Sequence, residues 1–343
     1  MARLHSALAE CRKEVNKIMS LPKVFLTQRI QEPGLSLLEG RVDYRLWTED
    51  GVPDMETVYR DIADADGVLV TIGFEIGEKF FDAAKKLKVV SLYRVGYDGV
   101  DIEAATKRGI MVTNTPGVLT DATADTALLL MLMAARRVRE AERILRSGEW
   151  GHWSPNLFLG RDLTGAALGI IGFGAIGRAV ARRALGFGMR VFYTSRTRKP
   201  ELEESMGVSY MERDDLIREC DYISLNCDLN TSTRGMIGAR ELKMMKKTAI
   251  LINTARGAVV DQRALYTACA EGWIYGAGLD TLDVEPVPLD EPLLSLENVV
   301  IMPHIGSATV NSRNGMARLA AQNLLDAIEG RRPGHLINPD VLG

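Results

Sequence analysis

The sequence predicts an α/β protein made of two Rossmann-like domains with parallel sheets. Three observations carry that expectation. Short apolar runs of strand length alternate with segments of helical spacing. A glycine-rich turn follows one of these runs and opens a helix. The chain has 343 residues, enough for about two domains of roughly 100–200 residues each. At 46% hydrophobic and 25% charged, the composition is that of an ordinary globular protein, which excludes a coiled coil, a disordered chain and a disulfide scaffold. Lys and Arg number 42 against 45 Asp and Glu, so a net charge of −3 gives no global attraction to nucleic acid or anionic membrane. Cys11, Cys220, Cys227 and Cys269 form no CxxC pair. That usage fits a reducing, cytoplasmic compartment and no metal centre. The most apolar run, Ala127–Ala135, is far shorter than the ~20 residues that span a bilayer.

Residues 1–19 read as an N-terminal extension, helical or preceding a later true start at Met19. Arg3, Arg12, Lys13 and Lys17 give them some transit-peptide character, against which Glu10 and Glu14 count. Strand-length runs then follow at Val24–Thr27, Gly67–Thr71, Val89–Tyr93, Ile110–Thr113, Ala167–Ile171, Met189–Tyr193, Tyr222–Asn226, Ala249–Asn253, Gly276–Leu279 and Val299–Met302. Helical spacing marks Phe80–Leu87, Asp101–Arg108, Thr126–Arg146, Gly177–Leu185 and Ser312–Gly330.

Gly172-Phe173-Gly174-Ala175-Ile176-Gly177 matches GxGxxG. The bare pattern is weak, but here it follows the strand-like Ala167–Ile171 and opens a helix rich in Ala. Gly172 permits the tight turn, Gly174 admits a pyrophosphate to the backbone, and Gly177 lets helix and strand close together. An NAD site places a carboxylate roughly 20 residues after the start of the fingerprint to hold the ribose 2′-hydroxyl. Here the second strand ends in Thr-Ser195-Arg196-Thr-Arg198-Lys199, with no carboxylate before Glu201. Hydroxyl and cationic donors suit a 2′-phosphate. The expected cofactor is therefore NADP(H), with NAD(H) as the second choice.

Among four histidines, His304 follows the apolar run Val299–Met302 and so projects from a strand end, where open α/β sheets bind ligands. Alone it could be a plain loop residue. Arg256 also ends a strand, and Gly276–Leu279 runs on through Asp280 to Glu285. Together they supply an anion clamp, an orienting carboxylate and a proton carrier.

These residues, with Val-Gly-Tyr-Asp98, Asn-Thr254-Ala-Arg-Gly257, Gly-Leu-Asp280, Val-Glu-Pro286 and Pro-His-Ile-Gly306-Ser-Ala-Thr309, carry a resemblance. From about Pro22 to Asn338 the chain resembles the D-isomer-specific 2-hydroxyacid dehydrogenases. Asn156–Gly160 and Ser195–Lys199 point to the glyoxylate/hydroxypyruvate reductase branch. The resemblance implies a flavodoxin-like substrate domain from residues 20–118 and 305–338, an NAD(P)-binding domain from 119–304, and a cleft between them. Hinges are expected near Pro116–Thr120 and Pro303–Gly306. It implies that His304 is the acid/base, Glu285 its orienting carboxylate and Arg256 the grip on a small 2-oxoacid or 2-hydroxyacid. Val95 and Gly96 supply backbone N–H donors to the substrate carboxylate. Asp280 faces the nicotinamide carboxamide, and Thr254 and Gly306 border the cofactor; Cys227, beside Asp228 where a Pro is common, either touches the cofactor or serves packing. The family is homodimeric, with Thr126–Leu145 at the interface and Trp153 reaching from one subunit into the other's site.

The chain departs from the family pattern at Arg94, which stands where a small residue is usual. Either it adds charge at the cleft and favours a second acidic or hydroxylated end on the substrate, or it points away and pairs at the surface. The expected reaction is NADPH-linked reduction of glyoxylate to glycolate and of hydroxypyruvate to D-glycerate. The alternatives are a 2-ketogluconate- or D-lactate-type enzyme, and a cofactor-sensing binding protein.

Overall fold

The computed structural model describes residues 21–49, 51–71 and 73–343, so the expected N-terminal extension lies outside the described residues. The chain forms two compact units. One runs to Pro116 and resumes at Arg313–Gly343; the other is Gly117–Ser312.

In the first unit, β1 (Lys23–Leu26), β2 (Asp43–Leu46), β3 (Gly67–Val70), β4 (Val89–Leu92) and β5 (Met111–Thr113) form a parallel sheet of order β2-β1-β3-β4-β5. β3 and β4 are buried at every residue, as the interior strands of a sheet covered on both faces must be. β2 is an edge strand with Asp43 and Arg45 exposed, and its polar alternation hides it among loops in the sequence. The helices Met55–Ile62 and Ile102–Lys107 are capped by Asp54, which accepts from Thr57 N at 2.7 Å, and Asp101, which accepts from Ala104 N at 2.9 Å. The C-terminal helix Val310–Ile328 packs close to this sheet because Gly67 lacks a side chain. A Cβ there would come within 2.9 Å of Leu324. Beyond that helix the chain closes the β5 edge. Ile337 donates to Val112 O at 2.8 Å, and Asn338 Oδ1 accepts from Val112 N at 2.8 Å.

The second unit holds β6 (Ala167–Ile171), β7 (Arg190–Thr194), β8 (Ser209–Tyr210), β9 (Tyr222–Leu225), β10 (Ile250–Asn253), β11 (Gly276–Leu279) and β12 (Val299–Ile301). Their order is β12-β11-β10-β9-β6-β7-β8, all parallel. Alternate residues feed two apolar layers. Ile223, Leu225 and Leu251 face one, while Tyr222, Ile250 and Ile252 face the other. The strand order reverses between β6 and β9, which opens a crevice at their C-terminal ends.

The single helix expected over Thr126–Arg146 is two helices, Thr120–Ala135 and Val138–Arg146. The break has a tertiary cause. Arg161 N donates to Ala135 O at 2.8 Å, taking the carbonyl that a continuing helix would use. Arg137 turns left-handed at φ 53° and its guanidinium grips Glu140 at 2.7 Å through both Nε and Nη2. The second helix buries none of its residues. It is tied down by Arg139, which donates to the carbonyls of Leu294 (2.5 Å), Leu296 (2.6 Å) and Val299 (2.8 Å). Among the described residues, no helix is long and apolar enough to cross a membrane, and no cluster of His, Cys, Asp or Glu could hold a metal ion.

Candidate active site

The glycine turn sits where the sheet order reverses. Gly172 has φ +95°, and a Cβ there would fall 2.6 Å from the carbonyl carbon of Asn226 and 2.7 Å from the amide nitrogen of Cys227. Only glycine fits. At Gly177 a Cβ would strike the Gly172 carbonyl, so helix Ala175–Gly186 starts hard against β6. Its N-cap, Gly174, has no side-chain cap and faces open space beside the exposed Ala175, while half-buried Ile176 packs against the apolar layer. This is a backbone cradle for an anion at a helix N-terminus. Phe173 is buried and stacked on Tyr193 with ring centroids 4.1 Å apart, so only its backbone belongs to the turn. Around the same strand ends, Asn226 Oδ1 and Thr254 Oγ1 are buried without a protein partner. Groups of that kind call for a ligand, and a dinucleotide fits the set. Burial pushes the Cys227 thiol up to about 11, so it is uncharged at neutral pH.

The basic loop after β7 is more structured than its sequence suggests. Arg198 Nε and Nη2 each donate to Glu203 at 2.8 Å, and Tyr193 Oη donates to the same carboxylate at 2.9 Å. Arg198, helped by Tyr193, holds the Glu203 carboxyl down at about 2. Two of the Arg198 donors are thus engaged by a carboxylate of the protein, while Arg196 is exposed. Ser195 Oγ donates to Thr197 O at 2.8 Å, rounding the loop.

Three strand ends of the second unit bring together the residues expected to do chemistry. Nδ1 of His304 lies 2.6 Å from Oε2 of Glu285, whose Oε1 accepts from Leu282 N at 3.0 Å. Burial works against the charged form of Glu285, but the hydrogen bond and charge of His304, with Leu282 N–H and Arg256, outweigh it and hold the carboxyl below its usual range. An ionised Glu285 makes Nδ1 the donor, which leaves Nε2 of His304 for proton exchange. Arg256 follows β10 on a turn braced by Asn253, whose Nδ2 donates to Arg256 O at 2.9 Å and whose Oδ1 accepts from Ala255 N at 3.0 Å. Gly257 packs so tightly on the Leu282–Asp283 backbone that it has no room for a Cβ.

His304 itself has φ +53°, an uncommon conformation for a residue with a side chain. Asp280 holds it there. Its carbonyl accepts from His304 N at 3.0 Å, and its two carboxylate oxygens accept from Ile305 N and Gly306 N at 2.8 Å each. Burial raises the Asp280 carboxyl and those two N–H groups only partly offset it. Both of its oxygens therefore serve the backbone of this turn.

In the first unit, Val95 and Gly96 follow β4. Asn114 Nδ2 donates to Val95 O at 2.8 Å, and the trans peptide then aims the Gly96 N–H the opposite way. Asn323 Nδ2 in turn donates to Asn114 O at 3.0 Å. Arg94 is half-buried. Its Nε and Nη2 are buried, and Nη1 would stand 3.5 Å from a Cβ at Gly73. Trp153 is 75% exposed on the loop after helix Val138–Arg146.

Comparison with known proteins fits this geometry. The family described as D-isomer specific 2-hydroxyacid dehydrogenase, NAD binding domain, matches residues 128–306. A curated glyoxylate reductase from Thermococcus litoralis is 50% identical over 325 residues, which cover 94% of this chain and 98% of that one. The chain belongs to the D-isomer-specific 2-hydroxyacid dehydrogenase family, in its glyoxylate reductase branch. Among solved structures, a protein of Thermus thermophilus superposes with a TM-score of 0.86 at 44% identity, covering 92% of this chain and 99% of that chain. An NADPH-dependent glyoxylate/hydroxypyruvate reductase from Sinorhizobium meliloti, in complex with NADP and malonate, has a TM-score of 0.82 at 34% identity, covering 94% of this chain and 98% of that chain.

The supporting residues of this dehydrogenase site were not visible in the sequence. Asn114 and Glu203 carry no motif, and Asn253 opens the Asn-Thr254-Ala-Arg-Gly257 run without its bracing role being legible there. Their one signal is position: Asn114 and Asn253 stand at the ends of apolar runs, where a polar side chain can bond the turn that follows.

Proposed function

We propose that this dehydrogenase is an NADPH-linked reductase that converts glyoxylate to glycolate and hydroxypyruvate to D-glycerate. The observation that carries the reading is the 2.6 Å contact between His304 Nδ1 and Glu285 Oε2. It provides a proton carrier whose tautomer is set and whose Nε2 is left for the substrate.

Bound dinucleotide supplies the hydride that C2 of the 2-oxoacid receives. His304 gives the proton that the carbonyl oxygen needs from Nε2, while Glu285 holds the ring through Nδ1. Arg256 grips the substrate carboxylate and polarises its carbonyl with a forked guanidinium. Val95 and Gly96 offer N–H donors to the same carboxylate, and Arg94 favours substrates with a further polar group. Gly172–Gly177 cradle the pyrophosphate. Cys227, Thr254 and Gly306 line the dinucleotide, and Asp280 sets the turn that carries His304. Ser195, Arg196 and Arg198 favour the 2′-phosphate of NADP(H) over the 2′-hydroxyl of NAD(H), a reading supported by the NADP bound to the Sinorhizobium meliloti relative.

The assignment of the first unit to substrate and the second to cofactor belongs to the same proposal. So does a cytoplasmic homodimer whose contact uses the helix Val138–Arg146 and the loop bearing Trp153. Exposed Val138, Leu145, Trp150, Trp153 and Leu159 support that contact.

The test is oxidation of NADPH and NADH by purified protein with glyoxylate, hydroxypyruvate, pyruvate and 2-ketogluconate, beside His304→Ala. NADPH-linked turnover of glyoxylate or hydroxypyruvate, lost in His304→Ala, is the expected result. Tight NADPH binding without turnover of any substrate would refute the reductase and favour a sensing role.

A further inference from the structure

We propose that Gln262 is a positioning residue for the Glu285–His304 pair, acting through the peptide between Leu282 and Asp283. The proposal rests on the proton-transfer role given to that pair above.

Gln262 is the first residue of helix Gln262–Ala270, whose N-cap Asp261 accepts from Ala264 N at 2.9 Å. Its side chain is half-buried and both ends of its amide are used. Oε1 accepts from Asp283 N at 3.0 Å. Nε2 donates to Glu291 Oε2 at 2.6 Å, while Glu291 Oε1 accepts from Leu293 N at 3.1 Å. The amide one residue earlier, Leu282 N, donates to Glu285 Oε1.

Two successive N–H groups of one short segment are therefore claimed by different side chains. One belongs to the pair that handles the proton, the other to a rigid helix start. The opposite side of the segment is closed by Gly257, the neighbour of Arg256. With Gly257 beneath it and Gln262 beside it, the Leu282–Asp283 backbone has one orientation, and that orientation decides where Leu282 N points. Leu282 N in turn fixes Glu285 Oε1 and so the angle at which Oε2 meets His304. Asp283 lies on this segment with its carboxyl raised by burial. The charged groups around the pair are Arg256 from the end of β10 and Asp280 from the end of β11, both held by other bonds of their own.

The test compares Gln262→Leu, which removes both hydrogen bonds, with the double variant Gln262→Glu/Glu291→Gln, which exchanges donor and acceptor but keeps both. In Gln262→Leu, kcat for NADPH-linked glyoxylate reduction should fall roughly ten- to hundredfold. KM for glyoxylate should change by less than about twofold, since Arg256 keeps its own brace. The Glu285 carboxyl, followed by ¹³C NMR and assigned by its absence in Glu285→Gln, should titrate at higher pH because its contact with His304 is loosened. The double variant should restore both readings. A Glu285 titration and kcat unchanged in Gln262→Leu would overturn the proposal, as would a loss of kcat that the double variant fails to restore while its melting temperature is normal. Retention of glyoxylate turnover by His304→Ala would instead overturn the proton-carrier role of His304 on which the proposal rests. The NMR titration needs no turnover and still tests Gln262.

Discussion

Asp280 and His304 are joined through the backbone: the Asp280 carbonyl accepts the His304 N–H at 3.0 Å, and the Asp280 carboxylate accepts the next two N–H groups, of Ile305 and Gly306. The proton carrier thus stands on a turn whose three successive amides end on one residue. An Asp280→Asn substitution replaces one acceptor oxygen with a donor facing an N–H. That mismatch should cost about 1–3 kcal/mol and release the left-handed backbone of His304. The expected outcome is a lower melting temperature and a kcat reduced at least tenfold, with NADPH affinity within about twofold of the parent. A weakened NADPH affinity with kcat preserved would return Asp280 to the role of a nicotinamide contact.

Glu203 makes a pH-dependent contribution to stability. Its folded carboxyl sits at about 2, mainly through Arg198, against about 4.5 when unfolded. A depressed carboxyl stabilises the fold above its unfolded value, and the contribution is lost as pH falls through its folded value. Relative to Glu203→Gln, the parent should be more stable at neutral pH and lose that advantage between about pH 4.5 and pH 2. Melting temperatures of the two proteins across that window check it. Parallel curves would mean that the pair with Arg198 contributes nothing.

Cofactor choice should depend on Arg196 more than on Arg198, because Arg198 is engaged with Glu203 while Arg196 is exposed. Arg196→Ala should weaken NADPH binding about tenfold and leave NADH within about twofold, the loss of one charge-assisted contact to a phosphate. Fluorescence titration of both cofactors measures this. Equal losses would show that the loop does not read the 2′-phosphate.

Much of the sheet is legible because buried parallel strands are continuous apolar runs, as in Ile250–Asn253 and Gly276–Leu279. The same rule hides β2 and β8. Asp43-Tyr-Arg-Leu46 and Ser209-Tyr210 lie at sheet edges, where no run of apolar residues is required. The helix break at Arg137 was equally hidden, since it depends on Arg161, a residue distant in sequence that captures Ala135 O. In the candidate site, motif residues such as Gly172 and His304 could be read because their chemistry restricts them to few residue types. Asn114 and Gln262 could not, since their work is to bond particular backbone or side-chain atoms that only the fold brings near.

The clamp on helix Val138–Arg146 is a last test of how tertiary contacts replace a buried face. None of its residues is buried, yet Arg139 donates to the carbonyls of Leu294, Leu296 and Val299. An Arg139→Met variant keeps most of the apolar stem and removes all three charge-assisted bonds. The carbonyls of half-buried Leu294 and Leu296 regain water in part, whereas Val299 is buried, so the net cost should be about 1.5–3 kcal/mol rather than three times the value of one bond. Amide exchange should quicken across Val138–Arg146 and Leu294–Val299 together while β6 and β9 stay protected, because the clamp touches neither strand. Exchange that quickens in the helix alone would show that the Leu294–Val299 segment is held by its own turns, with Arg139 a passenger.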